Sequence, residues 1–87
     1  MASYSVLIKT SAAKELEAVE PRGVLTRIVS RIESLAANPR PRGSQKLAGE
    51  EERHRIRRGS YRVVCEIDDE SRTVEVFKVG HRREVYR

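Results

Sequence analysis

The apolar residues of this chain change their period once, near Pro39, and that change confines the fold. From Arg22 to about Asn38 they fall at Val24, Leu25, Ile28, Val29, Ile32, Leu35 and Ala36. Steps of three and four gather them on one face of an amphipathic helix, with Arg27, Arg31 and Ser34 outside. Further on the step shortens to two. Tyr61, Val63, Cys65 and Ile67 alternate with Arg62, Val64 and Glu66, as the two faces of a strand do. A helical half followed by an antiparallel run implies an α+β domain, with helices on one face of a twisted sheet.

The other elements fit around these two. Tyr4–Thr10 (YSVLIKT) is β-branched and apolar and reads as a first strand, with Ser11 as a helix N-cap after it. Ala12–Glu20 reads as a short helix, and Pro21 ends it or opens the next. Asn38-Pro39 stops the second helix, and Pro39–Gly49 (PRPRGSQKLAG) has the composition of a loop with Leu47 as its core anchor. Three strands are predicted after it, at about Arg53–Arg58, Tyr61–Asp68 and Arg72–Val79. Gly59-Ser60 is a hairpin-length connection, and Asp69-Glu70-Ser71 makes the second turn. The expected order is therefore strand, two helices, then a three-strand antiparallel meander. Tyr61, Val63, Cys65 and Ile67 should meet the helices, which leaves Arg62 on an open face near Arg55 and Arg57.

With 87 residues there is room for one core, so residues 1–87 are expected to form a single domain. The lone Cys65 sits in a strand-like run, where a buried structural thiol is the ordinary outcome. No apolar stretch reaches the length of a membrane span, and the N-terminus lacks the apolar region of a signal peptide. The expectation is a cytoplasmic protein with no membrane partner.

Charge is segregated along the chain. Residues 53–62 (RHRIRRGSYR) hold five arginines and His54 with no acid, and residues 78–87 hold Lys78, Arg82, Arg83 and Arg87 against Glu84. Glu50, Glu51 and Glu52 precede the first block, and Asp68, Asp69 and Glu70 lie between the two. Such segregation favours a local positive field. A folded sheet has no need of a row of arginines, whereas the planar guanidinium grips phosphate with paired hydrogen bonds. A phosphate-rich partner, RNA first among them, is the reading these residues support. Solvated faces without a ligand are the plainer alternative.

The strings LAG…HRIRRGSYRVVCEIDDE and VEVFKVGHRREVYR, with the order of elements, resemble the RelE/ParE toxin superfamily, and within it the RelE branch. The resemblance runs from Tyr4 to Arg87. It implies the RelE-like fold and the toxin half of a type II toxin–antitoxin pair, whose RelE-type members cut mRNA. It also implies a set of site residues. Arg55 and Arg57 fall at the two alternating basic positions before the hairpin turn. Arg62 falls at the arginine that helps hold the scissile phosphate, Arg82 at the one credited with stabilising the transition state, and Tyr86 at the tyrosine that stacks on a base or moves a proton. His81 lies between these elements as a further acid–base candidate. His54, Arg58 and Arg83 join the RNA-binding set.

The implied reaction is attack of an RNA 2′-hydroxyl on its own 3′-phosphate, which calls for no metal and no cofactor. Clustered guanidiniums would stabilise the charge that builds on phosphorus, but a base and an acid are still required. Here the chain departs from the best-known pattern, which has lysines where Arg55 and Arg57 stand. Arginine stays protonated in proteins, so proton transfer would pass to His81, His54 or Tyr86. The implied partners are mRNA on the 70S ribosome and a cognate antitoxin, RelB-like, acidic and partly disordered, with a toxin–antitoxin hetero-oligomer as a further possibility. A ParE-like gyrase inhibitor and a non-catalytic module binding RNA or antitoxin are the competing functions.

Overall fold

In the computed structural model, which describes residues 3–47 and 53–81, the first half of the chain is β1 (Ser5–Ile8), α1 (Thr10–Glu17) and α2 (Arg22–Glu33), the last continued by a 3₁₀ turn over Ser34–Ala36. β2 (Gln45–Lys46), β3 (Arg53–Arg58), β4 (Tyr61–Asp68) and β5 (Thr73–His81) follow. The described strands form a five-stranded sheet in the order β1-β5-β4-β3-β2. The expected meander is its centre, with β3–β4 and β4–β5 antiparallel. The sheet as a whole is mixed, because β1 pairs parallel with β5 from Ser5↔Thr73 to Ile8↔Val76. Parallel pairing needs a crossover, and the two helices supply it by carrying the chain across one face of the sheet.

That face holds the core. Ala12, Leu16 and Val19 from α1 and its exit meet Ile28, Ile32 and Leu35 from α2 and the 3₁₀ turn. Ile56, Val63, Cys65, Ile67, Val74, Val76 and Val79 rise from the sheet to meet them, with Tyr61 packed at the rim. The alternation in β4 therefore points as its sequence implies. Ile28 and Leu35 are wholly enclosed, and a side chain of this size contributes roughly 1.5–3 kcal/mol when it leaves water. Val29, assigned by periodicity to the same stripe, lies at its exposed edge instead.

Several boundaries move, each for a local reason. α1 begins at Thr10, not Ala12, because the carbonyl of Lys9 already accepts the Ala13 N–H at 2.9 Å. Lys9, in extended conformation, is the N-cap residue and Ser11 is inside the helix. Pro21 opens α2 as its N-cap. β1 is shorter than Tyr4–Thr10, and β5 runs on to His81. The segment expected to be all loop contains β2, which pairs Gln45 with Arg55 and Lys46 with His54. Leu47 extends this pairing by donating its N–H to the Arg53 carbonyl at 2.8 Å, and it is half-buried.

Two turns shape the end of the sheet. Gly59 has φ +62°, the positive value that two-residue hairpin loops require at their first central position. The β4–β5 turn spans four residues, Asp69 to Arg72, and Asp68 Oδ1 accepts the Glu70 and Ser71 N–H groups at 3.0 and 3.4 Å. Within the β4–β5 pair, Val64 faces Lys78 while Cys65 faces Val76, so Phe77 is an extra residue in a bulge. Among the described residues no strand follows β5 on that side beyond Ile8, and α1 takes over. Glu15 Oε1 accepts the Val79 N–H at 2.8 Å, and its Oε2 accepts from Lys78 Nζ at 3.3 Å. Among the described residues no helix is long and apolar enough to cross a membrane.

Candidate functional site

The face of the sheet away from the helices carries the arginines. Because β3 alternates, Arg53, Arg55 and Arg57 share this face while His54 and Ile56 share the other. Hairpin register sets Arg57 directly opposite Arg62 and Arg55 opposite Val64. On the far side of Arg62 stands Gly80, which brings no side chain to crowd it. Three guanidinium-bearing residues thus converge on one end of the β3–β4 hairpin.

The opposite end of the same face is neutralised. Arg53 Nε approaches Glu66 Oε2 at 3.4 Å, and its guanidinium lies over the Phe77 ring at 4.3 Å. Phe77 also receives the Lys9 ammonium, 4.8 Å from its centroid. The bulge in β5 is what turns Phe77 out to this face between Val76 and Val79, which both remain in the core. A row that looks uniformly basic in sequence is graded in space: Arg53 is compensated by Glu66, while Arg57 stands exposed at the other end.

Burial alters the expected picture of an open basic face. Arg55 and Arg62 are each only 6% exposed, and Val64 between them is 7% exposed. Arg57 alone of the three is exposed, and it makes no hydrogen bond or ion pair among the described residues. Opposed arginines in adjacent strands repel, by up to about 1 kcal/mol. Charge held in partly dehydrated surroundings acts more strongly on an anion than the same charge in water. Of the three, Arg57 is the one whose side chain an anion could reach directly.

Arg55 has a defined neighbour that sequence reasoning missed. Its Nη2 donates a hydrogen bond to Gln45 Oε1, across the β2–β3 pairing. Nothing in the PRPRGSQKLAG segment signals this, because a two-residue strand has no period to detect.

Two residues assigned to this site lie elsewhere. His54 pairs with Cys65, lies on the helix-covered face and is 7% exposed, so the structure does not bring it together with Arg55 and Arg57. His81 pairs with Tyr61, one position along from the Arg62↔Gly80 pair, so alternation turns it to the helix side. Its ring stands edge-on to Tyr61 with centroids 5.8 Å apart. Together with Glu15, Val19 and Gly80 these rings line a cavity of about 200 Å³ between α1 and the end of β5. The structure thus does not bring His81 together with Arg57 and Arg62, which occupy the other face. Arg58 pairs with Tyr61 through its backbone, but its side chain is outside the description; Arg82, Arg83 and Tyr86 lie outside the described residues altogether.

Part of the acidic knot is structural. Asp69 accepts two hydrogen bonds from Arg40, at 3.0 and 3.2 Å, and one from the Tyr4 hydroxyl at 2.7 Å. Arg40 and Tyr4 hold its carboxyl below the ordinary carboxylate range. The result ties the loop after α2 and the residue before β1 to the β4–β5 turn. Cys65 is buried in the core, and burial pushes its thiol up to about 12.

Comparison with known proteins gives a consistent result. Residues 6–86 match the family described as the ParE toxin of type II toxin–antitoxin systems. The chain is 33% identical to the toxin RelG of Mycobacterium tuberculosis over 97% of both chains. In three dimensions it is similar to a chain of the M. tuberculosis toxin–antitoxin complex RelBE2, with 32% identity, a TM-score of 0.79, and coverage of 92% of this chain and 99% of that one. It is likewise similar to the isolated RelE toxin of E. coli, at 27% identity and a TM-score of 0.78, covering 97% and 92%.

Proposed function

We propose, since the chain belongs to the RelE/ParE superfamily of type II toxin–antitoxin toxins and is similar to its RelE members, that it is a metal-independent endoribonuclease cutting ribosome-bound mRNA. The observation that carries this reading is the Arg57–Arg62 pair, backed by Arg55 on the same face and bordered by Gly80. Arg57, the exposed member, is the group a phosphate would meet first.

In the proposed reaction the RNA 2′-oxygen bonds to the adjacent phosphorus, the bond to the 5′-oxygen breaks, and a 2′,3′-cyclic phosphate remains. Arg57 contacts the phosphate, while Arg55, Arg62 and, by resemblance, Arg82 stabilise the added charge. The 2′ proton must leave and the 5′-oxygen must gain one. No guanidinium can take that proton. Tyr86 and the ribosome are the proposed carriers, and the ribosome also aligns the RNA and so supplies effective molarity. The proposed partner is a RelB-like antitoxin, because similar toxins from M. tuberculosis and E. coli have been solved in complexes with antitoxins.

Replacing Arg57 with alanine tests the reading. Cleavage of ribosome-bound mRNA should fall by about 10²-fold, equivalent to roughly 3 kcal/mol of lost transition-state stabilisation. Melting temperature should hold, because Arg57 is exposed and makes no hydrogen bond or ion pair among the described residues. Full activity in this variant would remove the basis of the proposal. The ParE family match supports a second reading, inhibition of gyrase; under it, loss of DNA supercoiling control should precede any loss of translation after the protein is expressed.

A further inference from the structure

We infer that the cavity between α1 and the end of β5 is a nucleobase subsite, selective for bases that carry an exocyclic amine, cytosine first among them. The inference rests on the proposed RNA-cleaving function and supplies what that function leaves open, a place for a base beside the phosphate. The cavity holds about 200 Å³ and is walled by the Tyr61 and His81 rings, by Val19 and Val79, and by Glu15. The two rings stand at 75° to each other, so a flat group lying against one meets the other edge-on. Offset stacking and edge-to-face contact are the two arrangements that π-systems favour. Among the described residues the Tyr61 hydroxyl and the His81 ring nitrogens make no hydrogen bond, which leaves them to a ligand.

The walls suit the base of a nucleotide and not its phosphate. Glu15 brings negative charge, and the ammonium beside it, Lys78, is already paired with its Oε2 at 3.3 Å. A carboxylate has about four lone-pair sites, and the Val79 N–H and Lys78 take two of them. The others can accept from an amine such as cytosine N4, which uracil lacks. Gly80 joins this space to the arginines. It lines the cavity, and it pairs with Arg62, which in turn pairs with Arg57. The three positions form one row across β3, β4 and β5, roughly 10 Å long at two strand spacings. Gly80 carries no side chain to close the row at its end. A nucleotide whose phosphate meets Arg57 can therefore turn its base round the end of the sheet into the cavity.

Titration of the purified full-length protein with cytidine and uridine 5′-monophosphates, followed by nuclear magnetic resonance, tests this. Neither probe contains an internucleotide bond, so both report binding without cleavage. The cytidine probe should shift the Tyr61 and His81 ring signals and bind about tenfold more tightly than the uridine probe, the scale of one hydrogen bond to a charged group. Glu15→Gln presents an N–H where Oε2 stood, so it should erase or invert that preference, with thermal melting confirming that the variant is folded. His81→Ala should weaken cytidine binding by about fivefold, as loss of one aromatic contact does. Arg57→Ala should weaken both probes alike and leave their ratio unchanged, because it meets the phosphate. If Glu15 serves only to tie α1 to β5, Glu15→Gln lowers the melting temperature and leaves that ratio unchanged. Equal affinities in the parent, ring signals that stay in place, or a preference untouched by Glu15→Gln overturn the inference. If the preference is found and responds to Glu15→Gln but ribosome-bound mRNA is not cut, the proposed function falls while the subsite stands.

Discussion

At the scale of single residues, the face a side chain occupies decides more than its chemical type. His54 and His81 both carry a ring suited to proton transfer, yet pairing sends one to the core and sets the other edge-on to Tyr61. If the carrier lies elsewhere, His81→Ala should slow single-turnover cleavage by less than about tenfold, well short of the 10²–10⁴ expected of a positioned acid–base group. Its pH–rate profile should keep the parent's shape. Loss of a limb near neutral pH in that variant would restore His81 to the reaction. These placements turn on a parity the sequence does contain. RHRIRR puts His54 with Ile56, so once Ile56 is taken as core the histidine must follow. For His81 the alternation continues from Val79, and Gly80 between them hides it because glycine marks neither face. The burial of Arg55 and Arg62 was not legible at all, since a pattern of residue types does not state how far a long cation on a strand is covered.

At the scale of elements, β5 depends on α1 for the part of its edge that β1 does not reach. The Glu15 carboxylate takes the Val79 N–H and the Lys78 ammonium together. Glu15→Ala removes both contacts and should destabilise the fold by about 1–3 kcal/mol, as loss of a charged acceptor from a half-buried N–H does. Glu15→Gln keeps an acceptor for Val79 and should recover more than half of that loss in denaturant unfolding. Equal losses in the two variants would show that the Lys78 pair matters more than the backbone bond. The helices and the three long strands were readable because each repeats its period several times, as Val24–Ile32 and Tyr61–Ile67 do. β1 was readable as a strand but not as β5's parallel partner, since its seven candidate residues name no neighbour. β2 escaped because its pairing is set by the free edge of β3, not by Gln45 and Lys46 themselves.

At the scale of the whole molecule, one buried thiol makes stability sensitive to alkali. Cys65 ionises near 9 when exposed in the unfolded chain, but burial moves the folded value up to about 12. Its contribution is therefore fully present below pH 9 and is lost as pH rises toward about 12. The slope in that window is about 1.4 kcal/mol per pH unit for a single proton. Unfolding titrations at pH 8 and 10 should show the decline, and Cys65→Ala should be less stable at pH 8 but lack that part of it. The parent's thiol should also resist alkylation until the protein unfolds. The strand order has a consequence of another kind. Ser5 pairs with Thr73, so β1 emerges from the ribosome long before its partner exists. At roughly 5–20 residues per second, that wait is roughly 3–14 s. The nascent protein can close its β3–β4 hairpin early, but the sheet joins into one piece only when β5 slots between strands already made. Synthesis itself thus delays the finished sheet, and a chain halted before β5 leaves its first strand with nowhere to dock.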